Sequence, residues 1–208
     1  MKRHIFLALS LFCFLLSGLC LFSIKRGQDE ILASRISPQV LRFHVLANSD
    51  SRQDQQLKME VKSLIVDQIS REMSGCGSKD EMCSYLLENS ARLTGLAASY
   101  IRNQGFSYPV SLQICQDYFP AKIYGDIEFP CGTYDAARLV IGKGEGHNWW
   151  CVLYPSLCFI QPSYAVLPSS SQAALRSSVG DSDYEKMQVQ ERPSVHVRFK
   201  ILELLQDL

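Results

Sequence analysis

Apolar and polar positions change their period twice along this chain, and the changes mark out its elements. Residues 5–24 are apolar or small throughout, a run of 20 positions with no charge. A bilayer core of about 30 Å needs about 20 helical residues, so the run is long enough to span. Lys2, Arg3 and His4 precede it, and Lys25 and Arg26 follow. Secretory apolar regions usually run about 7–15 residues, so the length favours an uncleaved anchor over a signal peptide within residues 1–26. Ser23 and Ala33 are the small residues at which a cut would fall, and Leu19 before Cys20 argues against a lipoprotein signal. Residues 27–38 read as a polar connector.

Residues 40–48 alternate, with Leu41, Phe43, Val45 and Ala47 on one side and Arg42, His44, Leu46 and Asn48 on the other, the period of a strand. Ser51 with Asp54, then Ser78 with Glu81, resemble capping boxes. Behind them, Leu57, Val61, Leu64, Ile65 and Ile69, and then Leu86, Leu93, Ala97 and Ile101, recur at helical spacing. Glycines at 75, 77 and 105 end these two helices. From Pro109 the period returns to two. Val110, Leu112 and Ile114 predict a strand, as do residues 137–141, 149–153 and 195–201. Residues 161–192, rich in Ser and Gln, predict a flexible loop, and residues 193–208 a final strand or helix returning to the domain. The class expected is α+β: a helical pair on one face of a mostly antiparallel sheet, the main domain covering residues 39–160.

Composition narrows the function. Lysine plus arginine equal aspartate plus glutamate, 21 each, so no net charge draws the chain toward nucleic acid. Cys13 and Cys20 lie in the apolar run, leaving six cysteines beyond it. None forms a C-x-x-C, which leaves disulfides ahead of reduced thiols and zinc. No metal or cofactor is expected.

Candidate chemistry thins out on inspection. Residues 142–146 read G-x-G-x-G with a strand after them, so no helix N-terminus is there to hold a phosphate, and a glycine-rich hairpin is expected. Asp50 and Asp54 suit the positive end of a helix better than acid–base work. His44 reads as a surface or edge residue and Asn48 as a turn residue. His147 and Cys151 on one strand would stand about 13 Å apart, too far for a nucleophile and its base, although the fold can bring His44 toward Cys151. Strand alternation sends Trp149 and Trp150 to opposite faces, and an outward indole is a preferred anchor for a partner.

Four stretches, taken together, resemble a known family. Arg42 through Ser51 (RFHVLANSDS), followed by Asp54-Gln55 and Leu57-Lys58, is similar to the opening of stage II sporulation protein R. Phe119 through Gly125, with Phe129-Pro130, Gly132 and Tyr134, resembles its middle. Ile141 through Leu153 (IGKGEGHNWWCVL), with Pro155 and Leu157-Cys158-Phe159, resembles its most distinctive block, and Val197 through Glu203 its close. Cys131 and Ser156 depart from the pattern, and Cys76, Cys83 and Cys115 lie outside it. The resemblance implies a signalling protein of endospore formation rather than an enzyme. Such a protein is exported across the forespore membrane into the intermembrane space. There it activates a membrane-embedded aspartic protease that matures a sigma-factor precursor. Partner-binding residues are then expected at His44, Asn48, Asp50, Asn148, Trp149 and Trp150, with a disulfide between Cys151 and Cys158, whose short intervening loop contains Pro155. The competing class is an extracytoplasmic cysteine hydrolase acting on the cell wall.

Overall fold

A computed structural model of the chain describes residues 2–158 and 166–189. The expected return strand at 193–208 lies outside these residues. The apolar run begins one unbroken helix, α1 (Lys2–Ile36), long and apolar enough to cross a membrane. Its large apolar side chains from Phe6 to Ile24 are exposed. The polar connector expected at 27–38 is instead helical through Ile36, followed by a 3₁₀ turn at Ser37–Gln39. Leu32, Ala33 and Ile36 explain the difference. Spaced one and four residues apart, they form one stripe that the domain buries.

The domain follows as β1 (Leu41–Leu46), α2 (Arg52–Glu72), α3 (Lys79–Asn103) and β2 (Val110–Phe119). Then come β3 (Lys122–Tyr124), β4 (Ile127–Phe129), β5 (Gly132–Ile141), β6 (Asn148–Tyr154), α4 (Ser169–Val179) and α5 (Asp181–Met187). Ser51 Oγ accepts from the Asp54 N–H at 3.1 Å and Ser78 Oγ from the Glu81 N–H at 3.1 Å, so both expected caps start their helices. The main sheet runs β2-β5-β1-β6. β1 is parallel to β5 and antiparallel to β6, while β2 and β5 are antiparallel. The fold is thus α+β with a mostly antiparallel sheet.

Each face of this sheet is covered. On one face α2 and α3 bring Leu57, Val61, Ile65, Leu86, Leu93 and Ile101 onto Phe43, Val45 and Leu139. On the other, the end of α1, the β3–β4 hairpin, α4 and α5 gather Ile36, Phe119, Phe129, Tyr134, Leu175 and Tyr184 into a second core. The sequence pattern predicts only the first of these two layers. α4 and α5 occupy much of the stretch expected to be a flexible Ser/Gln-rich loop. They carry few apolar residues, and Leu175, Tyr184 and Met187 are the ones they bury. A strand interior to a sheet covered twice buries both of its alternating sets. Arg42 and His44 are therefore buried, and His44, at 3 % exposure, does not take the edge or surface place expected of it.

The glycine run also departs from expectation. β5 and β6 do not pair with each other; they flank β1 on its two sides. The link between them crosses the end of β1, where the Gly146 N–H donates to Ala47 O at 3.0 Å and the Glu145 N–H to Asn48 O at 3.3 Å. After β6 the chain turns back, and a disulfide joins Cys151 to Cys158 with Cα atoms 5.2 Å apart. Closing a loop this short contributes about 2–3 kcal/mol on the chain-entropy argument. Cys158→Ser is expected to lower unfolding free energy by that amount in urea titrations. A loss under about 0.5 kcal/mol would show the loop to be ordered without its bridge.

Candidate functional site

The loop between β1 and α2 and the loop between β5 and β6 are wound into one polar knot. Asn48 Nδ2 donates to Asp54 Oδ2 at 2.9 Å, Ser49 Oγ donates to the same oxygen at 2.5 Å, and Asn48 Oδ1 accepts from the Lys143 N–H at 3.1 Å. A Cβ on Gly142, whose φ is +62°, would stand 2.2 Å from Asn48 Oδ1, and one on Gly146 would stand 2.2 Å from Ser49 O. Only glycine permits this approach. Asp50 Oδ1 accepts from the His147 N–H at 2.6 Å and also meets its ring nitrogen. These two bonds hold the Asp50 carboxyl below its ordinary value, the backbone one most. Lys58 Nζ closes the knot by donating to His147 O at 2.9 Å and Gln55 Oε1 at 2.6 Å. Asn48 and Asp50, expected at a partner surface, thus spend their side chains on this knot.

One step along the sheet lies a second cluster, on the face away from α2 and α3. His44 stacks parallel on Trp150 with ring centroids 4.8 Å apart, and Phe119 meets Trp150 edge-on at 4.8 Å. His44 Nε2 lies 2.9 Å from Asp117 Oδ2, and Nδ1 lies 3.4 Å from Asn148 Oδ1. Burial pushes His44 below the ordinary imidazole range, against the pull of Asp117. Arg138 Nη1 reaches both Asp117 oxygens at 3.4 Å, and the Cys115 thiol donates to Oδ2 at 3.2 Å. Burial, with help from Asp117, pushes that thiol up to about 11, so it stays protonated at neutral pH. Asn148, Trp149 and Trp150 are each half-buried. The indoles do take opposite faces: Trp149 stands edge-on to Phe43 at 6.4 Å with Lys62 Nζ 4.9 Å from its ring.

So His44, Asn148 and Trp150 come together, Trp149 lies through the sheet from them, and Asn48 and Asp50 belong to the knot. Cys151 does not approach His44. It opposes Phe43 in the β1–β6 register, faces the helices and is disulfide-bonded. Asp117 and Arg138 were not singled out from the sequence. The signal was a charge within each alternating strand, but which strand would lie beside His44 depends on pairing that periodicity does not contain.

Lys122 borders this cluster. It donates to Trp150 O, and its pKa is drawn down to about 8, by burial first and then by the charge of Arg42. An unfolded lysine titrates near about 10.4, so between about pH 8 and 10 the unfolded chain binds more protons and stability rises with pH. The unfolding free energy of the native chain minus that of Lys122→Met is expected to grow across this window. Shared groups such as the Cys115 thiol cancel in the difference, and a flat difference would remove Lys122 from the buried edge.

The fold and site define a class: an α+β domain carried on an N-terminal apolar helix, with a half-open histidine–tryptophan cluster on its sheet. Residues 37–164 match the family of stage II sporulation protein R. A curated relative, stage II sporulation protein R of Bacillus subtilis (strain 168), is 31% identical over 163 residues, 77% of this chain and 72% of the relative. No solved structure matches the chain. The chain belongs to the stage II sporulation protein R family, and its role is in sporulation. Its apolar helix and its disulfide are compatible with a membrane-anchored or exported protein.

Proposed function

We propose that this chain is an exported signal of endospore formation. It crosses the forespore membrane, stands in the intermembrane space and activates a membrane-embedded aspartic protease, which then matures a sigma-factor precursor. On this reading it acts by binding and is not an enzyme. The observation that carries the binding mode is the order of groups at Cys115, Asp117 and His44. The carboxylate lies between thiol and imidazole, whereas a cysteine hydrolase needs the imidazole against the sulfur. With Cys115 protonated and Cys151 bonded, neither offers a thiolate. On this reading the partner surface is the Asn148–Trp150 segment beside His44, with Asn48 and Asp50 at the end of β1.

Precursor processing in sporulating cells tests this. Trp150→Ala or Trp149→Ala is expected to cost more than about 2 kcal/mol of partner binding, as hot-spot truncations do, and so to abolish processing while a melting transition persists. Cys115→Ser should process normally. Activity falling only in proportion to lost stability would make the indoles structural. A dead Cys115→Ser of native stability would revive the hydrolase.

A further inference from the structure

The geometry points to a phospholipid site where α1 leaves the membrane, built by the β2–β3 turn and filled by a lipid of the bilayer that α1 spans. A cleft of about 330 Å³ lies there, with Phe22, Arg26 and Asp29 of α1 on one wall and Tyr118, Pro120 and Cys131 on the other. Phe22 belongs to the uncharged run, so one wall of the cleft starts inside the apolar layer.

Helical rise fixes the depth of the rest. From Ile24 to Asp29 the helix climbs about 7.5 Å, which is about the thickness of one headgroup layer. No linker intervenes. Lys25 Nζ lies 3.8 Å from Glu128 Oε1, the Arg26 guanidinium sits 5.7 Å from the Tyr118 ring centroid, and Cys131 Sγ lies 3.9 Å from Asp29 Oδ2. Side chains that touch Phe22 to Asp29 are thereby held at headgroup level. Tyr118 is such a side chain, and tyrosine is enriched at that depth. Outside α1 only five large apolar or aromatic side chains are exposed among the described residues, and two of them flank this turn, Tyr118 on β2, which lines the cleft, and Ile123 on β3. Apolar surface left open at the exit of a spanning helix fits acyl chains. Lys25 and Arg26, whose side chains are 65% and 54% exposed, stand where the phosphate lies. Asp29, Glu30 and Glu128 offset those cations, so the phosphate common to all phospholipids is recognised and anionic headgroups gain little.

The inference rests on the anchored reading above, and its test separates the two. The full chain is placed in nanodiscs of phosphatidylcholine doped with a phospholipid that carries a diazirine near the headgroup end of one acyl chain. After illumination, adducts are mapped by mass spectrometry. Labelling is expected both within residues 5–24 and on residues 118–123, with less than about three-fold change when phosphatidylglycerol replaces phosphatidylcholine. Ala121→Glu, which puts a charge on the cleft wall, should cut labelling of 118–123 at least five-fold while leaving 5–24 labelling and the melting temperature unchanged. Labelling confined to 5–24 overturns the lipid site and keeps the anchor. Labelling of neither segment overturns both.

Discussion

Asp54→Ala is expected to lower unfolding free energy by about 2–5 kcal/mol and the melting temperature by roughly 10 °C. The carboxylate is 5 % exposed, and burial alone would push its pKa up. Bonds from Ser49, Asn48, Tyr108 and Ser51 together pull harder and leave it below the ordinary value. Removing it takes the acceptor from the half-buried Ser49 hydroxyl and Asn48 amide, and a donor left unpaired where water does not reach costs about 1–3 kcal/mol. The sign of the pH dependence follows. With the folded pKa depressed, the contribution of Asp54 is present above the unfolded value of about 4 and is lost as pH falls below it. The native chain should therefore lose its advantage over Asp54→Ala on acidification from about pH 5 toward pH 3. Chemical denaturation at several pH values measures both effects. A loss below about 1 kcal/mol at neutral pH would mean that the two loops are held by their backbone contacts and the glycine approach alone.

Asp54 marks where sequence reasoning reached and where it stopped. Ser51 and Asp54 were legible as a cap because capping is local, set by a spacing of three residues and by the apolar stripe behind it. The second duty of Asp54, as acceptor for Asn48 and Ser49, follows from the chain folding back over Ser51, which no period records. The partner of the knot was farther off still. Gly142 and Gly146 lie nearly a hundred residues along the chain, and their run reads as a hairpin because alternating strands flank it. What makes it a crossing instead is β1 standing between β5 and β6. The same lack explains His44. Alternation identified the residues that share a face with it, but the cover over that face comes from Ile36, from β3–β4 and from residues past 166. The two tryptophans were legible for the opposite reason: sending neighbours to opposite faces is a property of any strand.

Arg42 is expected to give the sharpest contrast between two substitutions of one residue. Its side chain has no exposed surface, and its guanidinium lies 4.5 Å from the Phe119 ring centroid, 5.0 Å from Tyr134 and 5.3 Å from Phe129. Nε donates to Cys151 O at 3.2 Å, while Nη1 and Nη2 have no hydrogen-bond partner among the described residues. Among the described residues no carboxylate pairs with it, and Lys122 adds a second positive charge nearby. Burial lowers the guanidinium's pKa. Taking such an ion out of water costs several kcal/mol, and a desolvated cation over a ring gains about 2 kcal/mol or more. The charge and its rings therefore nearly balance, and the volume of the side chain decides stability. Arg42→Met, similar in length and apolar, should unfold within about 1 kcal/mol of the native chain or above it. Arg42→Ala should lose about 3–5 kcal/mol through the cavity it leaves. In Arg42→Met the Lys122 amine, freed from its neighbour's repulsion, should titrate above its present value of about 8, readable by NMR of the lysine side chain. If Arg42→Met falls as far as Arg42→Ala, the guanidinium's contacts with the three rings and the Cys151 carbonyl outweigh its desolvation, and charge rather than volume holds the second core together.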